Sequence, residues 1–228
     1  MFGFFFDPMY FLFALPALAL AMFAQWKVSS AYDKYTKVRN TKNLTGTQVA
    51  EYLLRANGLN LSISGTPGNL TDHYDPRNQK LYLSQNVYGS RSVAAIGVAA
   101  HEAGHAIQDV QVYMPLKIRN GLVPVTNLGS TLAFPLFLVG MFASMPIFMD
   151  IGIILFSIAV AFSLITLPVE FNASQRAIKV LSSSGILVES EIPMAKAVLN
   201  AAALTYVAST AMAILNLVRL LILRSERD

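Results

Sequence analysis

The sequence predicts a mainly α integral membrane protein, with about four transmembrane helices and a small polar domain carrying a short β-sheet. Three observations predict it. The 228 residues are 54% hydrophobic and 13% charged, with a mean hydropathy of +0.50, whereas a soluble domain carries about a quarter charged residues. Four apolar stretches approach or exceed the roughly 20 residues a helix needs to cross a bilayer. Between the first two lies a segment with capping, alternation and turn chemistry of its own. So apolar and aromatic a chain can bury ample surface, which excludes disorder. The 17 basic against 13 acidic residues give +4; an excess this modest, beside membrane spans, points to no nucleic-acid partner. There is no cysteine, so disulfides and thiolate metal sites are out. Any metal must be held by His, Asp or Glu, and the histidines are only His73, His101 and His105.

The first apolar stretch runs from about Pro8 to Trp26, with Asp7 the only charge before it. It lacks the basic start of a signal peptide, so a retained anchor is expected over residues 1–26 despite the Ala-x-Ala spacing at Ala17 to Ala21. A hairpin follows, about Gly121 to Ala143 and Ile147 to Leu167, broken at Met145-Pro146 because proline disfavours helix continuation. Asp150 is expected at the interface. The fourth stretch, about Ala201 to Leu223, contains Asn216 and a snorkelling Arg219.

Orientation follows from Lys and Arg, which stay on the cytoplasmic side. Segment 27–120 holds eleven of them, five at Lys27, Lys34, Lys37, Arg39 and Lys42; the hairpin tip 144–149 holds none; segment 169–200 holds Arg176, Lys179 and Lys196. The expected layout is an outside N-terminus, a cytoplasmic domain at 27–120, a membrane hairpin at 121–168, a cytoplasmic helix at 169–200 and a last span with tail at 201–228. Arg224 and Arg227 dissent, since that layout puts them outside; Glu226 and Asp228 neutralise the tail, but the rule counts cations only.

In the polar segment, Thr45-Gly46-Thr47-Gln48 has the form of a capping box. It opens a helix with a stripe of Val49, Leu53 and Leu54 that stops at Gly58. Leu59, Leu61 and Ile63 alternate as a half-buried strand does. Turn chemistry stands at Thr66-Pro67-Gly68-Asn69 and Asp75-Pro76-Arg77-Asn78. Lys80 to Ser84 reads as a strand with Leu81 and Leu83 on one face and Tyr82 on the other. Ser92 to Val110 is long enough to be a helix, made slim by Ala94, Ala95, Ala99, Ala100 and Ala103.

That helix carries His101-Glu102-Ala103-Gly104-His105. Residues four apart share a helix face, so both imidazoles can reach one ion. Glu102 lies beside the pair, positioned to take a proton from an activated water. The bland alternative, an accident on a buried helix, would place two histidines and a glutamate where burial is costly. A catalytic zinc ion usually has three protein ligands. A metzincin would place His at 111 and Gly at 108, but Gln111 and Gln108 stand there; the site-two type needs an Asp-Gly that this chain lacks. A carboxylate on a second helix remains. Glu170 is favoured, with Glu189 and Glu191 as competitors that look like solvated charges after Ser182-Ser183-Ser184-Gly185. Two spans separate His101 from Glu170, so both return to one side of the membrane.

With these residues in hand, the chain resembles the YugP-like neutral zinc metallopeptidases of bacteria and archaea, membrane proteins grouped with the gluzincins. The likeness covers nearly the whole chain: the N-terminal anchor, Leu70-Thr71-Asp72-His73-Tyr74-Asp75-Pro76, Leu83-Ser84, the Ala99 to Gln108 segment, and Pro168-Val169-Glu170-Phe171-Asn172-Ala173-Ser174. The resemblance implies a zincin-like domain, one catalytic zinc on His101, His105 and Glu170, and Glu102 as general base. It is also similar to the HtpX-like membrane gluzincins, whose active site faces the cytoplasm. Those often carry an Asp four residues after the ligand Glu, behind a histidine; here that position is Ser174, a weaker partner for an imidazole N–H.

The expected function is a membrane-bound zinc metalloendopeptidase of the cell membrane, acting on membrane-associated polypeptides near the cytoplasmic surface. His73 and Tyr74 are candidate oxyanion donors, with a turn role open for His73. A strand near 80–84 is a candidate to pair with an extended substrate. The rivals are a membrane scaffold or chaperone-like binder with structural zinc, which would have no use for a general base, and a zinc hydrolase of lipid or another amide.

Overall fold

The computed structural model describes residues 8–226. Asp7, Arg227 and Asp228, which entered the charge argument, lie outside them. The element order is α1 (Pro8–Tyr35), α2 (Gly46–Ala56), β1 (Ser62–Thr66), β2 (His73–Asp75), β3 (Lys80–Ser84), α3 (Gln85–Tyr88), α4 (Val93–Val110), α5 (Met114–Phe142), α6 (Pro146–Ser183) and α7 (Ile192–Ser225). The protein is therefore mainly α with one small sheet. Four of its helices, α1, α5, α6 and α7, are long and apolar enough to cross a membrane.

The chain forms two compact units. The first comprises residues 1–25, 118–168 and 204–228, of which the described ones are helical apart from the turn at 143–145 and residue 226. Its core is a cluster of Phe137, Met141, Met149, Ile153 and Leu220. Small residues bring its helices together: a Cβ on Gly140 would stand 2.6 Å from the Met149 nitrogen, and one on Gly152 would stand 2.6 Å from the Ala133 carbonyl oxygen. Such close approach replaces the hydrophobic driving force that lipid cannot supply. Leu12, Leu15, Met22, Leu128, Phe134 and Ile154 are exposed, as expected of side chains that face lipid.

The second unit comprises residues 26–117 and 169–203. The capping box forms at Thr45 and Gln48, and the α2 stripe of Val49, Leu53 and Leu54 is buried. Gly58 takes φ +74 at the stop, a left-handed conformation that glycine adopts without steric cost. The sheet order is β1-β3-β2, with β1 parallel and β2 antiparallel to β3; Ile63 pairs with Leu81 and His73 with Tyr82. As the alternation requires, Leu81 and Leu83 are fully buried and Tyr82 is half-buried on the other face. They share one core with α2, with Ile96, Ala99 and Ala103 of α4, and with Ala177 and Leu181 of α6. Ser92 caps α4, its Oγ accepting from the Ala95 N–H.

Four expectations are corrected here. The first strand is Ser62–Thr66, not the stretch from Leu59; Leu59 instead closes the end of α2, its N–H donating to the Leu54 carbonyl. Strand β3 is the middle of the sheet, so both of its edges are already paired and it cannot accept an added strand. The hairpin's second helix does not stop at Leu167: α6 continues through Pro168 to Ser183, because a proline inside a long apolar helix removes one N–H without abolishing its neighbours' bonds. Glu191 is not solvated. It is 5% exposed, its carboxylate accepting from the Thr41 N–H and hydroxyl and from the Val188 N–H.

Candidate metal centre

Helix α4 presents His101 and His105 one turn apart, and α6 presents Glu170 to them. Glu170 Oε2 lies 3.2 Å from His101 Nε2 and 3.5 Å from His105 Nε2, and the two Nε2 atoms are 3.2 Å apart. Among the described residues this is the one group of three such donors. Ligand atoms about 2.0–2.1 Å from a tetrahedrally coordinated ion stand roughly 3.3 Å from one another. The three separations fit one shared ion, with a fourth position left for water or substrate. Glu170 is 3% exposed, a burial that an isolated carboxylate would not sustain.

The approach of the two helices depends on one absent methyl group. A Cβ on Gly104 would stand 2.9 Å from the Ala173 carbonyl oxygen. Gly104 and fully buried Ala103 thus let the backbones approach closely enough for a glutamate to reach the imidazoles.

Each imidazole is held from behind. His105 Nδ1 is 3.0 Å from Gln108 Oε1. The Gln108 amide nitrogen donates to the Val169 carbonyl at 2.9 Å and to Asn172 Oδ1 at 3.0 Å. Two acceptors around that nitrogen fix the amide's orientation, so its oxygen faces His105 and Nδ1 must carry the proton. The neutral ring's lone pair is then on Nε2, toward Glu170 and His101. Gln108 is fully buried, and sequence reading missed this role; the signal was its place three residues after His105, on the same helix face. Ser174 Oγ stands 3.1 Å from His101 Nδ1 and can accept its proton, leaving that ring's Nε2 lone pair on the same point. The serine thus takes the position behind His101, four residues after Glu170 on α6.

Glu102 is half-buried beside the pair. Burial raises its pKa above the usual carboxylate value, against the pull of His101 and His105, which makes it a better proton acceptor near neutral pH. Burial pushes the His105 imidazole down, but hydrogen bonding and attraction from Glu170, with attraction from Glu102, outweigh it and leave its pKa raised.

The Asp72 to Asp75 stretch is held by hydrogen bonds. Asp72 accepts from the Ser84 N–H at 2.7 Å and from the Ser84 hydroxyl at 2.9 Å. The Tyr74 hydroxyl donates to Asp109 at 3.0 Å, tying β2 to the end of α4; burial and then that bond raise its pKa. Asp75 accepts from the Arg77 and Asn78 N–H groups in the following turn. His73 lies on the sheet, its Nδ1 2.8 Å from the Thr71 carbonyl oxygen and its ring stacked on Tyr82 at 4.8 Å. The geometry thus gives His73 the local turn role and engages the Tyr74 hydroxyl elsewhere. Glu189 and Glu191, the competing ligands, are not in the cluster.

The family described as "Putative neutral zinc metallopeptidase" matches residues 10–225. The chain belongs to this zinc metallopeptidase family. It is also 44% identical over 223 residues to "Putative membrane protease YugP" of Bacillus subtilis (strain 168), covering 96% of this chain and 99% of that protein. No solved structure matches the chain significantly. For a zinc metallopeptidase family, the donor set on α4 and α6 has the right chemistry, since two imidazoles and a carboxylate suit a borderline-soft divalent ion.

Proposed function

We propose that this member of the family is a membrane-bound metalloendopeptidase that holds one zinc ion on His101, His105 and Glu170 and cleaves peptide bonds of membrane-associated polypeptides at the cytoplasmic surface. The observation that carries the reading is the three-donor cluster with Glu102 adjacent on the same helix. A structural ion has no need of that free carboxylate. When bound, the ion supplies Lewis acidity, which lowers the pKa of water and polarises a carbonyl. With the ion held on His101, His105 and Glu170, Glu102 would accept a proton from water and pass it to the departing amine. Gln108 and Ser174 keep the two imidazoles in the tautomer that offers Nε2.

Sidedness rests on charge. The two segments that build the site hold fourteen Lys and Arg residues, eleven in 27–120 and three in 169–200, which supports a cytoplasmic location. The apolar stretch that ends near Leu167 stands just before Glu170 in sequence, which favours substrates at the lipid surface.

The test is cleavage of casein or a synthetic peptide by the purified protein, with metal content measured in parallel. Glu102→Gln is expected to keep zinc and lose cleavage. No cleavage by the wild type under any condition, with zinc retained, would favour a scaffold. Release of lipid rather than peptide products, read by mass spectrometry of membranes, would replace the peptidase reading with a lipid hydrolase.

A further inference from the structure

The second unit contains a cavity of about 510 Å³ that the peptidase reading does not use. Its wall includes Asn57, Gln111, Asn172, Gln175, Arg176 and Lys179, that is, four amides and two cations, and none of its described lining residues is acidic. Arg176 is half-buried, and its partners there are neutral. Its Nε donates to Asn172 Oδ1 at 2.6 Å, an Nη donates to the Gln111 amide oxygen, and the guanidinium stands over the Tyr113 ring at 5.9 Å. Carbonyl oxygens orient a guanidinium but leave its full charge uncompensated, a costly state for a partly desolvated cation. Lys179 follows three residues later on α6, so both cations share one helix face.

We propose that this cavity binds a phosphate ester. Two cations without a carboxylate match the charge of a phosphate group, about −1.5 to −2 near neutral pH, better than the single charge of a carboxylate. The guanidinium has five N–H donors, of which the two amide oxygens engage two, and the remaining ones match the spacing of phosphate oxygens. The volume lies within the roughly 300–1,000 Å³ of small-molecule sites. It exceeds what inorganic phosphate needs, and the Gln175 amide is there to meet the rest of a polar ester. The phosphate can come from a soluble monoester or from a lipid whose headgroup is a phosphomonoester, since the preceding part of α6 is an apolar candidate span.

The full-length protein, purified in a phosphate-free neutral detergent, is titrated calorimetrically with glycerol 3-phosphate and, separately, with short-chain phosphatidic acid, both phosphomonoesters. Saturable binding of either probe is expected, weakened about tenfold by Lys179→Met and more by Arg176→Gln. Binding of the ester identifies a soluble ligand; binding of the lipid alone identifies a headgroup. Absence of saturable binding by both probes, or binding unchanged in Lys179→Met, overturns the proposal. Lys179 is exposed, so its variant decides the matter even where Arg176→Gln misfolds. No peptide cleavage is measured, so failure here leaves the peptidase reading untouched, and failure of that reading leaves this one standing.

Discussion

Arg224 Nε donates to Asp150 Oδ1 at 2.7 Å, joining the first turns of α6 to the last turns of α7 across 74 positions of sequence. The pair gives the cation that dissents from the charge rule an anionic partner at its own end of the helix bundle. It also gives Asp150, read from sequence as an interfacial acid, a specific contact. The Asp150 side chain is 43% exposed, so the pair is worth about 1 kcal/mol or less. A double-mutant cycle of Asp150→Asn and Arg224→Gln, read by unfolding in mixed micelles, is expected to return a coupling of that size. Additive losses would show that the contact contributes nothing.

On the proposed roles, removing a ligand differs from removing the base. His105→Ala and Glu170→Gln are expected to lose bound zinc, measured by mass spectrometry of the digested protein. Glu102→Gln is expected to retain it while cleavage falls about 10²–10⁴-fold. Full zinc occupancy in Glu170→Gln would remove Glu170 from the ligand set.

The groups behind the imidazoles are expected to set zinc affinity. Gln108→Leu frees the His105 ring and removes the amide that donates to the Val169 carbonyl and to Asn172 Oδ1. Competition with a chromogenic chelator should show zinc affinity falling about 10–100-fold. Ser174→Asp should move affinity the other way, since a carboxylate raises imidazole basicity more than a hydroxyl does.

A methyl group at position 104 should be felt at the metal centre. Gly104→Ala places a Cβ against the Ala173 carbonyl, a backbone atom that cannot rotate aside. Overpacking of this kind costs about 1–3 kcal/mol. Thermal unfolding of the metal-free variant and its zinc affinity should both deteriorate; an unchanged affinity would show that α6 is not held by this contact.

Zinc and protons compete for the same lone pairs. The raised pKa of His105 means that the folded, metal-free protein is stabilised by protonation, a contribution full at low pH and lost as pH rises through the folded value. Zinc binding needs the neutral ring and strengthens over the same interval. The increase in melting temperature produced by a fixed zinc concentration should therefore grow as pH rises through and above the ordinary imidazole value of about 6.5, because that of His105 is raised. A shift independent of pH would mean that no histidine is displaced from its proton.

Features whose physics is local were determined by the sequence alone. Thr45 and Gln48 lie within one turn of each other, Leu81 and Leu83 alternate on one strand, and His101 and His105 stack one turn apart wherever that helix is placed. Lipid-length helices are legible for the same reason, because length and apolarity suffice. The tertiary structure decided whatever needed a partner from elsewhere. Strand β2, three residues long, has no periodicity to read and exists because β3 pairs with it. Glu191 looks solvated until Thr41 covers it. Gln108 is one more polar helix residue until Val169 and Asn172 turn its amide. Helix α6 passes through Pro168 because a missing N–H costs one bond, and the neighbouring turns outweigh it. Only that packing brings Glu170 within ligand distance of the two histidines, since a glutamate's position on its own helix says nothing about which other helix it will face.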